Sequence, residues 1–210
     1  MKELRETLPS IISAIVLTIV FVVSTGFAEQ TDFAKSEEFY NLGTQQTHEG
    51  NYVGAISSFK ESIRLNDLNA NAHESLGWAY FSITKFDKAK AHWQEALKIN
   101  PESAAAVFGT GYLYFMNEDF DSAIKSFKSI ISQYPQFSSV YSVLGRVYAK
   151  QGNIDKAISE LEKSIDLNPN EKFSHLILDE IYESKGETGK LEKYKNQAVQ
   201  GAEEVEVNDK

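Results

Sequence analysis

Apolar residues along this chain are spaced in threes and fours, and the spacing itself repeats. In His73-Leu76-Gly77-Tyr80 and in Tyr141-Leu144-Gly145-Tyr148, large residues fall at i, i+3 and i+7 with a glycine at i+4, and Phe39-Leu42-Gly43 keeps the pattern as far as the glycine. That is one face of an α-helix. The glycines stand at Gly43, Gly77, Gly111 and Gly145, each 34 residues after the last. Ala55, Ala89, Ala123 and Ala157 keep the same step, as do Phe59, Trp93, Phe127 and Leu161, then Tyr52, Phe86, Phe120 and Ile154, and finally Pro101, Pro135 and Pro169. A fixed period of this length predicts a stack of like units. Each unit reads as two helices. The first carries the glycine, a turn follows that is marked by Gly50-Asn51 and Gly152-Asn153, and Asp87, Asp121 and Asp155 stand where a carboxylate can cap the second. Proline ends the second helix, because it supplies no amide donor and restricts the residue before it. Glycine inside a helix costs about 1 kcal/mol against alanine, so its fixed slot predicts a neighbouring helix that approaches too closely for a side chain.

On these residues the chain resembles the tetratricopeptide repeat proteins. Leu42-Gly43, Leu76-Gly77, Gly111 with Tyr114, Leu144-Gly145 with Tyr148, the four alanines and the three later prolines fall on that family's signature slots. They define units of about 36–69, 70–103, 104–137 and 138–171, with a degenerate fifth over 172–199 that keeps Leu178 and Tyr182 but has Asp179 in place of the glycine. The first unit also departs, with Asp67 in the proline slot and Gln46 where later units have tyrosine. The resemblance implies an all-α, right-handed superhelical solenoid of antiparallel helix pairs spanning 29–199, closed by the fifth pair as a C-terminal cap with a polar outer face.

At 100° per residue, unit positions 4, 7, 8 and 11 of each first helix share one side and build the core, while positions 2, 5, 9, 12 and 13 lie opposite. In the family this sequence resembles, the second set lines a concave groove for partner peptides. Carried over residue by residue, it nominates Tyr40, Trp78, Phe81, Phe108, Tyr112, Phe115, Met116, Arg146 and Lys150 as partner-binding residues. The aromatic cluster exceeds what core packing asks for, and apolar patches of that kind mark interfaces. Arg146 and Lys150 on one flank predict a ligand that pairs apolar anchors with an acidic group. The same face could instead be covered by the chain's own N-terminal segment, by a neighbouring repeat or by a second copy in a homo-oligomeric scaffold. The family's clamp for terminal carboxylates uses basic and asparagine residues, and Tyr40, Thr44, Ser75, Ala105 and Gly109 occupy those slots here, so that ligand class is not expected.

Composition narrows the chemistry. The chain has 210 residues, 42% of them hydrophobic, with 30 Asp and Glu against 21 Lys and Arg for a net charge of -9. That balance repels phosphate backbones and anionic lipid, so no nucleic-acid partner is expected. The absence of cysteine removes disulfides, thiolate metal sites and thiol catalysis. His48, His73, His92 and His175 show no i, i+3 or i, i+4 pair, and no phosphate-binding glycine loop is present. No cofactor, metal site or catalytic centre is expected, and the reading is a non-catalytic adaptor. From Thr7 to Ala28 there is no charge, a stretch that as a helix reaches roughly 33 Å, about the thickness of a bilayer's hydrocarbon. Lys2 and Arg5 precede it and Gly26-Phe27-Ala28 ends it, which predicts a signal peptide over 1–28 or, alternatively, a membrane anchor over 7–28. The domain is then periplasmic or extracellular, and the membrane is met only through this segment. Residues 200–210 read as a disordered acidic tail.

Overall fold

Helix boundaries keep the 34-residue step of the sequence. A computed structural model describes residues 30–187, and the expected leader at 1–28, the second half of the fifth unit at 188–199 and the tail at 200–210 lie outside them. Among the described residues there are nine α-helices and no strand. They are α1 over 30–48, α2 Tyr52–Leu65, α3 Ala70–Ser82, α4 Phe86–Ile99, α5 Ala104–Met116, α6 Phe120–Gln133, α7 Ser138–Lys150, α8 Ile154–Leu167 and α9 Lys172–Lys185. Three first helices begin at the residues the register predicts, Ala70, Ala104 and Ser138. Asn69 and Ser103 cap two of them by accepting from the Ala72 and Ala106 amides, each at 3.0 Å. In the first unit the same slot is Lys35, which has no acceptor to offer, and α1 runs back past Ser36. Ser36 is buried instead, its hydroxyl donating to the Ser62 carbonyl at 2.9 Å. None of these helices is long and apolar enough to cross a membrane.

The turns differ from expectation in one respect. Asp87, Asp121 and Asp155 are not the caps, because the second helices start one residue earlier and place these carboxylates inside the first turn. Capping falls to Asn51, which accepts from the Gly54 amide at 3.0 Å, and to Asp119, which accepts from the Ser122 amide at 3.2 Å. The three aspartates contribute through their charge at the positive end of the helix dipole.

The chain divides into two compact units, Met1–Ile99 and Asn100–Lys210. In the first, α2 packs on α3 and α3 on α4, while Phe59 of α2 sits against Gly43 of α1. In the second, each helix from α5 to α9 packs on the next, and α7 also meets α9. Its core buries Phe127, Ile130, Val140, Leu144, Leu161, Leu178 and Tyr182. The recurring glycines have the predicted purpose. A Cβ on Gly43 would meet the Phe59 ring at 2.6 Å, one on Gly145 would meet Leu161 at 2.6 Å, and one on Gly77 would run into the Trp93 indole. The missing side chain lets the two helices of a pair close on the large residue of the second.

Candidate functional site

In the first unit the nominated rings lean on their own second helices. Tyr40 is half-buried with its ring 5.9 Å from Phe59. Trp78 is half-buried, edge-on to Trp93 at 4.8 Å and to Phe81 at 5.7 Å, and Phe81 lies 5.3 Å from Phe86. Such pairs add to core stability beyond their area.

In the second unit Phe108 is half-buried against Phe127 at 5.4 Å and stacks on Tyr112 at 6.5 Å, while Met116 is 45% exposed. Phe115 departs from its expected place on an open surface. It is only 8% exposed and belongs to the hydrophobic core. Position 12 of a unit is the last residue but one of the first helix, next to where the chain reverses and brings the first residue of the second helix over it. Phe115 thus meets Phe120 at 6.4 Å, as Phe81 meets Phe86. The Arg146 guanidinium covers Phe115 from the other side, 5.2 Å from the ring centre, and donates to the Tyr112 hydroxyl at 3.4 Å.

An open groove of about 920 Å³ runs along α5, α7 and α9. Tyr112, Ser139, Arg146 and Lys150 line it from α5 and α7, and Phe173, Leu176 and Glu180 from α9. Phe173 and Leu176 are 69% and 55% exposed. They are positions 2 and 5 of the degenerate fifth unit, so carrying the positional rule one unit further finds them. The walls differ in charge, with Arg146 and Lys150 on α7 facing Glu171 and Glu180 at the start and middle of α9. Among the described residues no three His, Asp or Glu side chains converge as metal ligands do. Two histidines that sequence spacing kept apart, His73 and His92, meet across α3 and α4.

Two sequence profiles, both described as tetratricopeptide repeat, match residues 76–138 and 114–177. The chain is a tetratricopeptide repeat protein. Its all-α fold of paired helices is similar to a crystal structure of MamA, at 26% identity over 78% of this chain and 95% of that one with a TM-score of 0.65. It is also similar to MamA from Desulfovibrio magneticus, at 19% identity over 84% and 98% with a TM-score of 0.66. PilF of Pseudomonas aeruginosa is another such structure, at 20% identity over 81% and 78% with a TM-score of 0.73. No curated protein sequence matches the chain. Tetratricopeptide repeat proteins are in general non-catalytic adaptors that bind other proteins, and this is the fold of such an adaptor. In the tetratricopeptide frame Tyr112, Ser139, Arg146, Lys150, Phe173 and Leu176 stand on first helices, at the positions that do not build the core.

Proposed function

We propose that the chain is a non-catalytic adaptor, exported across or tethered to a membrane through residues 1–28, that assists assembly of an envelope complex. It holds a peptide segment of a partner protein in the groove along α5, α7 and α9. The observation that carries this reading is the pair Phe173 and Leu176, held out of the core beside Arg146 and Lys150 in one open groove. Exposed apolar anchors beside basic side chains are what the centre and rim of an interface require. Acidic groups of the ligand pair with the α7 wall, its apolar side chains cover Phe173 and Leu176, and Glu180 favours a basic or neutral residue on the α9 side. Half-buried Trp78, Phe81 and Tyr40 in the first unit have a lesser role than their sequence positions suggested.

Panning a displayed library of random peptides against the purified protein tests this. Retained peptides should pair Asp or Glu with large apolar residues, and Leu176→Asp should weaken their binding about 30-fold, the loss of one anchor worth about 2 kcal/mol. Arg146→Glu should shift the selected charge from acidic to basic. Peptides that bind wild type and both variants equally would remove the groove from consideration.

A further inference from the structure

His73 on α3 and His92 on α4 are pressed together in the first unit, with their Nδ1 atoms 3.2 Å apart and ring centres 5.4 Å apart. At that distance one Nδ1 donates a proton to the other, so at least one ring is neutral; two imidazolium rings would aim N–H at N–H. The surroundings sharpen the conflict. Tyr80 of α3 stacks on His92 at 5.6 Å, and its ring carries the ammonium of Lys60 from α2 at 5.9 Å and that of Lys88 from α4 at 5.4 Å. The carboxylates acting on the pair are Asp67, ahead of α3, and Glu95 on α4, which Lys98 already holds at 2.6 Å.

We propose that the contact between His73 and His92 is a proton-operated latch on the hairpin of α3 and α4, closed while the rings are neutral and driven open when both are protonated. Opening loosens the hairpin that positions Trp78 and Phe81. The direction follows from burial, which holds both rings below the ordinary histidine value. His92 is lowered from 6.5 to about 4, with the charges of His73 and Lys60 adding to the effect of burial. For His73, burial outweighs the opposing pull of Glu95 and Asp67. Rings released by opening titrate near 6.5, so between that value and the lower one the open form binds more protons. Closure is therefore complete above pH 6.5 and is lost as pH falls toward about 4.

The chain has two tryptophans, and both lie in this hairpin, Trp78 on α3 and Trp93 on α4. Their emission in the full-length protein, followed from about pH 7.5 to about pH 4, reads the latch directly. The expected result is a red shift and stronger quenching by acrylamide as pH falls, absent in a His73→Asn, His92→Gln double variant. Ring-nitrogen NMR of the wild type should place both histidines below the usual value, and it decides alone if the double variant does not fold. Unchanged emission in the wild type, the same transition in the double variant, or either ring titrating at its ordinary value would overturn the proposal.

Discussion

A methyl group at Gly77 has nowhere to go. The Trp93 indole fills the space a Cβ would take, is itself fully buried, and donates from Nε1 to the Glu74 carbonyl at 3.3 Å, so it cannot turn aside cheaply. Alanine would gain about 1 kcal/mol of helix propensity, but overpacking a closed core costs more. Gly77→Ala should lower stability by up to about 2 kcal/mol, the overpacking cost less the gain in propensity, in urea unfolding followed by tryptophan emission. Phe115 poses the converse problem. Its place in the core means that a carboxylate there would be buried without a partner, so any loss of binding in Phe115→Asp would report damage to the fold rather than to a docking surface. Leu176, more than half exposed on α9, is the residue whose charge reversal speaks to recognition.

Just after the first helix of each unit, one residue takes a left-handed backbone, and the slot recurs at Gly50, Thr84, Glu118, Gly152 and Gly186 with φ of 75°, 59°, 61°, 84° and 70°. Glycine enters that region without penalty, whereas a β-branched residue is crowded there by its own Cβ. Thr84→Gly should therefore raise stability by about 1 kcal/mol, measured as an upward shift of the urea midpoint with unchanged slope. The turn was legible in the sequence only where glycine occupies it, at Gly50 and Gly152. Helix register was legible throughout, because the period fixes every element against its neighbours and chance composition cannot imitate it. Local chemistry was less so. Asp87, Asp121 and Asp155 carry the right side chain for a cap but sit inside the helix, and only the observed start of each second helix assigns capping to Asn51 and Asp119. The meeting of His73 and His92 was invisible for a related reason. Spacing rules search within one helix, while this contact joins two helices through the packing of a hairpin.

At the scale of the whole chain, positional arithmetic nominated Arg146 and Lys150, which line the open groove, together with Tyr40, Trp78 and Phe81, which their own hairpins half cover. Phe173 and Leu176 were missed because the fifth unit departs from the repeat pattern, although its first helix keeps the geometry of the others. Charge now separates the two readings of the groove. A chain of net charge -9 repels its own copies, so self-association through an apolar face must strengthen as salt screens that repulsion. Docking of an acidic peptide against Arg146 and Lys150 must weaken under the same change. Light scattering and peptide titration at about 50 mM and about 0.5 M salt put both on one scale, since the screening length shortens from about 14 Å to about 4 Å. The adaptor reading expects one monomer mass at both salts and a peptide affinity that falls several-fold. A mass that rises with salt and returns to the monomer in Leu176→Asp would instead make a second copy of this chain the occupant of the groove.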